Sequence, residues 1–274
     1  MALPFSKYHG LGNDFVLLES SQPFQPDLVQ RICDRNRGVG GDGILFVSPH
    51  PSADAQMIIF NADGTRPEMC GNGLRCVAFH VAAKSYHHPT SVNITIATDA
   101  GPKDCLVALE PDNPEAIVRI DLGPVAAPSH RTITCHGLEL DLITTSVGNP
   151  HAILLQPAVE FERFAPTLAT HPDFPHGANI SFVEPGADQL RVRVWERGAG
   201  PTLACGTAAC AVAAVAVHER LAAQDTPIRV QLPGGTLEVV ISQDNHAIMT
   251  GPARHVFDGT LLSLEPDYAN PLDS

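Results

Sequence analysis

Two cysteines head two runs of small apolar residues, and they are the groups best placed to do chemistry. Residues 67–83 read PEMCGNGLRCVAFHVAA and residues 201–217 read PTLACGTAACAVAAVAV. In each, a polar turn leads to Cys-Gly and then to a hydrogen-bonding side chain, Asn72 or Thr207, before the apolar run begins. The pattern predicts a helix entered at Cys70 or Cys205 and apolar on nearly every face, hence buried. A thiol at a helix start lies beside unpaired backbone N–H groups and the positive end of the helix dipole. Both favour the thiolate and are expected to lower the thiol pKa. A single such stretch is more simply a core helix with a buried cysteine. The doubling argues for a shared task.

The rest of the chain repeats in step. Gly12-Asn13 returns at Gly148-Asn149, and Gly41–Val47 (GDGILFV) returns at Gly177–Val183 (GANISFV), both 136 positions later. MIIFN ending at Asn61 returns as VRVWE ending at Glu196, each nine residues before its cysteine. Val92–Ala97 likewise has a partner in Ile228–Pro233. Blocks in one order at one offset mark a tandem duplication of a unit of roughly 120 to 135 residues, near the usual domain size.

Three chemistries compete for the cysteines. Cys70 and Cys76, or Cys205 and Cys210, would lie roughly 120° and 140° apart around a helix, facing different ways, so neither pair suits a metal. An acylating nucleophile needs one thiolate and one base, with no reason to be duplicated. Two thiols at two facing helix starts suit a two-base reaction: one removes a proton from a carbon, the other returns one to the opposite face, and the configuration inverts. The helix-start N–H groups would also hold a carboxylate and the developing enediolate. They could thus replace a cofactor as electron sink.

The remaining elements are those that must position these groups. A polar turn through FSKYHG is followed by a strand from Phe15 to Glu19, a short helix over 27–37, a glycine-rich loop Gly38–Gly43 and strands Ile44–Ser48 and Gln56–Asn61. The glycine-rich loop could cradle an anion, although it lacks dinucleotide-binding spacing. Residues 91–121 alternate as strands, and the Pro- and Ala-rich stretch after Gly123-Pro124 marks a hinge near 118–128. In the second half a helix signal lies within 157–176, and the second buried helix runs from about Gly206 to Arg220. His151 sits beside Asn149, where surface decoration is the plainer role for a histidine near a turn. At 274 residues two domains are the natural count. A formal charge of −13 without a basic run speaks against nucleic acid, no apolar run is long enough for a membrane span, and the opening MALPFSKYHG lacks a signal-sequence pattern. Seven scattered cysteines read as a reduced, cytoplasmic protein.

HGLGNDF, CDRNRGVGGDG, NADG, MCGNGLRC, GNPH, GANISFV and WERGAGPTLACGTAAC, in this order along nearly the whole chain, closely resemble the diaminopimelate epimerases. The resemblance implies a cofactor-independent isomerase, without a metal, that interconverts LL- and meso-2,6-diaminopimelate for lysine and peptidoglycan synthesis. It implies an α/β (α+β) fold of two pseudo-symmetric domains, each a curved mixed sheet or barrel around a central buried helix. These would span 1–120 and 121–261, with the tail 262–274 closing onto the first. Cys70 and Cys205 match the family's paired acid and base. Asn13, Asn61, Gly71, Asn72, Asn149, Asn179, Glu196, Arg197, Gly206 and Thr207 match its substrate contacts, and His151 and Glu196 the residues that tune the thiols. A homodimer is implied too, with Tyr268 at a position linked to its interface. Two departures stand out: Gly43 where some members carry Gln, and Ala208 where Gly is common.

The halves differ where substrate ends would be told apart. Arg197 is a natural fork for a distal carboxylate, while Asn61, Asn179 and Glu196 could hold an ammonium. Two alternatives stay open: a proline or 4-hydroxyproline epimerase of the same fold, against which Asn72 and Arg197 speak, and a thiol redox sensor, which would not need four asparagines in register.

Overall fold

The computed structural model describes residues 2–22, 24–86 and 91–262. The first half comprises β1 (Leu3–Gly10), β2 (Asn13–Glu19), α1 (Pro26–Cys33), β3 (Gly43–His50), β4 (Ala53–Asn61), α2 (Gly71–Ser85), β5 (Ser91–Thr98), β6 (Gly101–Ala108) and β7 (Glu115–Pro124). The second comprises β8 (Ser129–Cys135), β9 (Leu138–Ser146), β10 (Pro150–Leu155), α3 (Phe161–Ala169), β11 (Asn179–Pro185), β12 (Leu190–Glu196), β13 (Gly200–Thr202), α4 (Gly206–His218), β14 (Ile228–Leu232), β15 (Gly235–Ile241) and β16 (His246–Leu261). The fold is mixed α/β, and the duplication is visible in its register. Phe15 pairs with Gly43 across the parallel β2–β3 ladder, and His151 pairs with Asn179 across the parallel β10–β11 ladder. The β4–β5 and β12–β14 pairs are parallel as well.

One sheet runs β1-β2-β3-β4-β5-β6-β7-β16-β15-β14-β12-β11-β10-β9-β8, and β1 also pairs with β16. The first eight strands of that order therefore close into a mixed barrel around α2, which touches every one of them. The second half curves around α4, which packs against β9, β10, β11, β14, β15 and β16. Both helices lack a polar face. Leu74 to His80 are buried in α2, and Ala208 to Ala216 in α4, so each helix is core on all sides. The alanines let the sheet close tightly around α4, and the shorter helices α1 and α3 cover the outer faces.

β16 ties the halves together. Its early residues pair with β15 (Glu238 to Thr250, Ile241 to Ala247) and its later ones with β1 (His9 to Arg254, Leu3 to Leu261), while β7 runs along its other side. The passage between halves, sought near 118–128, is thus largely strand. Beyond β7, Val125 and Ala126 donate to the carbonyls of Asn245 and Ser146. Closure onto β1 is made by residues 254–261, upstream of the tail 262–274, of which only Leu262 is described. Tyr268 lies outside the described residues.

Three local readings change. FSKYHG is strand rather than turn, because Phe5, Lys7 and Tyr8 are buried in the barrel wall. The helix begun at Pro26 stops at Cys33, short of 37. Asp34 Oδ1 accepts the backbone N–H of Asn36 at 2.7 Å and of Arg37 at 2.9 Å, a local turn that competes with helix. The amides of Gly38, Gly40 and Gly41 donate to the carbonyls of Asp34, Ile32 and Cys33, so this loop ends α1 instead of presenting an anion cradle.

Candidate active site

Cys70 and Cys205 are the N-caps of α2 and α4, in extended backbone immediately before each helix, where the sequence put them. The two helix starts face each other closely. A Cβ built on Gly206 would lie 3.8 Å from the Gly71 Cα. It would lie 3.1 Å from Met249 Sδ, and a Cβ on Gly71 would lie 3.2 Å from Met249 Cε. Glycine after each cysteine is therefore what lets two helix N-termini meet over one methionine of β16.

Around each thiol the halves build matching polar triplets. Asn13 Oδ1 lies 3.9 Å from Cys70 Sγ and accepts from Asn72 Nδ2 at 3.0 Å. In the second half Asn149 Nδ2 donates to Thr207 Oγ1 at 3.4 Å, and Thr207 Oγ1 lies 3.5 Å from Cys205 Sγ. Asn13 begins β2 and Asn149 immediately precedes β10, each a strand that borders its helix, which explains why Gly-Asn recurs in step with Cys-Gly. Asn72 also donates to the Ala204 carbonyl at 3.1 Å, joining the first helix start to the residue before the second thiol. Asp42 holds Asn13 from the far side, accepting from Asn13 Nδ2 at 2.9 Å. It was not singled out from the sequence, although the repeat of its loop in both halves marked the segment.

The second half carries the charge. Glu196 ends β12 and is followed by the turn Arg197–Gly200, in which Gly198 takes φ 80°, a conformation costly for other residues. The turn brings back Thr202, whose hydroxyl donates to Glu196 Oε1 at 2.6 Å, and Glu196 and the Cys205 thiol each shift the other's ionisation. Arg197 is anchored by its backbone N–H to Asn179 Oδ1 at 2.9 Å. Its exposed guanidinium donates from Nη1 to the His176 carbonyl, also at 2.9 Å. Asn179 is buried and donates to the Pro150 carbonyl. Asn61, at the equivalent end of β4, is exposed and bonded to Thr65 Oγ1. His151 is buried rather than surface decoration, and its Nε2 lies 2.9 Å from Asn149 Oδ1. Since that oxygen only accepts, Nε2 carries the proton, and the buried Nδ1 has no partner among the described residues.

The electrostatics reverse one expectation. Burial pushes the Cys70 thiol up, and the nearby Glu196 adds to this, while the amides of Gly73 and Asn72 pull it down by less. Cys205 is pushed further, well above the ordinary thiol range, by burial and by Glu196. The helix-start effect is present at both sulfurs, but burial outweighs it. Burial also raises Glu196 and, helped by Arg197, lowers His151 to about 3, so the imidazole is neutral.

Gly43 is no simple missing contact. A Cβ there would meet the Phe60 carbonyl oxygen at 2.4 Å, so the β3–β4 pairing requires glycine. Ala208 is buried within α4 without conflict. Among the described residues the one cluster of metal-ligand side chains, His130, His218 and Glu219, lies at the end of α4 remote from Cys205.

The family model for diaminopimelate epimerase matches residues 5–127 and 143–256. The chain is 39% identical over 281 residues to a diaminopimelate epimerase of Desulfitobacterium hafniense, covering 93% of this chain and 97% of that one. It is 42% identical over 288 residues to one of Synechococcus elongatus, covering 95% and 99%. Among solved structures, a probable proline racemase from Agrobacterium radiobacter superposes with a TM-score of 0.74 at 17% identity, over 96% of this chain and 94% of that one. This last likeness is one of fold.

Proposed function

The chain belongs to the diaminopimelate epimerase family, and we propose that it interconverts LL- and meso-2,6-diaminopimelate by passing protons between Cys70 and Cys205 on opposite faces of one carbon. The observation that carries this is the meeting of two cysteine-capped helix starts at Gly71 and Gly206. A carboxylate between them would take the open N–H groups of both helices, and the α-carbon would lie between the sulfurs. The same donors would stabilise the enediolate formed when the proton leaves, work that a cofactor does elsewhere.

Substrate binding would also set the thiols. Glu196 acts on Cys205 and has itself been raised by burial, so it is matched to accept that thiol's proton. The neutral His151 reaches Cys205 through Asn149 and Thr207. Arg197 would receive the distal carboxylate, which a substrate with one carboxylate lacks. Asn61, Asn179 and Glu196 would hold the distal ammonium and fix which end reacts.

The halves 1–120 and 121–261 would then each supply one thiol, with a homodimer in the cytoplasm as the working form. All seven cysteines are free thiols, as a reducing compartment would keep them. Among the described residues no helix is long and apolar enough to cross a membrane. Incubating the reduced protein with LL-2,6-diaminopimelate and following its stereochemistry by chiral chromatography tests the proposal. Meso product is the expected result, and unchanged substrate would remove it.

A further inference from the structure

Arg75 is fully buried, an uncommon place for a guanidinium. Its hydrogen-bonding partners are all neutral. Nε donates to the Pro252 carbonyl at 3.1 Å, Nη2 donates to Asn72 Oδ1 at 2.9 Å, and Nη1 lies 3.6 Å from Met249 Sδ. The ionisable groups that face it are thiols alone: Cys70 and Cys76 of the first helix start and α2, and Cys210 of α4. Space has been made for it, since a Cβ on Gly10 would come within 2.8 Å of Nη2. Arginine keeps its proton even where burial disfavours it. The core therefore contains a positive charge with no carboxylate partner among the described residues. Such a charge is costly to folding, and among the described residues only neutral acceptors meet it.

We propose that Arg75 is a positioning residue holding a standing positive charge behind the two helix starts, with the anion formed between them as its counter-ion. This rests on the epimerase reading above. The connection to the cleft is short. Arg75 fixes Asn72 Oδ1, which turns Asn72 Nδ2 toward both Asn13 Oδ1 and the Ala204 carbonyl. One guanidinium thereby orients an amide that touches both halves of the site. Its charge favours the Cys70 thiolate, against the opposing influence of Glu196, and after proton transfer it favours the enediolate. The neutral thiol gains nothing from it. Stabilisation confined to the charged states is what lowers a barrier rather than merely tightening binding.

The test compares Arg75→Lys, which keeps the charge without the fork, with Arg75→Gln, which loses the charge. Folding of each is checked by circular dichroism and melting. Iodoacetamide alkylation of Cys70 in the unliganded protein, followed by peptide mass spectrometry from neutral to alkaline pH, reads the thiol titration directly. The lysine variant should keep the wild-type midpoint, and the glutamine variant should move it to higher pH. With diaminopimelate, kcat should fall at least about tenfold further in the glutamine variant, with KM little changed. Where the glutamine variant does not fold, the lysine variant decides: a folded protein with the wild-type Cys70 midpoint supports the proposal, and a folded protein with a raised midpoint overturns it. Equal midpoints in two folded variants, or a lysine variant that does not fold, would assign Arg75 to packing alone and overturn it. The alkylation arm needs no substrate, so failure of the epimerase reading shows separately, as a wild-type protein that does not turn over diaminopimelate.

Discussion

At the scale of single residues, the site is a contest between burial and hydrogen-bond donors, and at both thiols burial wins. Residue types and spacing identified Cys70 and Cys205, but the direction of their pKa was not legible. The helix-start amides can be read from sequence, whereas the loss of water around Cys205 and the approach of Glu196 arise only in the fold. His151 shows the same limit: nothing in GNPH says that the imidazole will be 1% exposed. It carries a stability consequence with a definite sign. Its folded pKa is depressed to about 3, while the unfolded chain takes up the proton near the ordinary histidine value of about 6.5. Its contribution is therefore intact above about pH 6.5 and is lost as pH falls toward 3, by about 1.4 kcal/mol per pH unit. Urea unfolding at about pH 7 and about pH 5 should show wild type losing about 2 kcal/mol more than His151→Gln. An equal loss in both proteins would mean that His151 is protonated in the folded cleft.

At the scale of elements, α2 and α4 were the most legible parts of the chain. A long apolar run can only be a buried helix or a buried strand, and Cys-Gly with Asn or Thr supplied the start. Arg75 was passed over because one arginine in an apolar run gives no sign of whether it points to water. The role of β16 was hidden for another reason: alternation shows that a segment is strand and says nothing of its neighbours. The close approach of the helix starts makes a prediction of its own. Gly206→Ala gains helix propensity of about 1 kcal/mol but places a Cβ 3.1 Å from Met249 Sδ. The two effects should nearly cancel in the melting temperature. Displacing one thiol relative to the other should still cost at least about tenfold in kcat/KM, since catalysis is far more sensitive to position than stability is. Unchanged kcat/KM with unchanged melting would show that this approach is incidental.

At the scale of the whole molecule, the duplication was legible as five blocks in one order, and the mixed α/β fold was implied by the resemblance to the diaminopimelate epimerases. The continuity of the sheet was not. Because β16 pairs with β1, β7 and β15, neither half can lose it alone. The halves should therefore unfold together. Trp195, the single tryptophan, reports on the second half, while far-UV circular dichroism reports on both. Their urea transitions should coincide, and two separated transitions would show that β16 does not couple the halves.

The duplicated fold exists, on this account, to set two thiols on opposite faces of one carbon. Incubation with LL-2,6-diaminopimelate in D₂O, stopped at low conversion and analysed by mass spectrometry and NMR of separated isomers, tests that most directly. The thiol that removes the substrate proton is not the thiol that delivers the new one, so each meso molecule should carry one deuterium at the inverted carbon while recovered LL substrate remains protiated. Early deuterium in recovered substrate, equal to that in product, would mean one base serving both faces and would contradict the account.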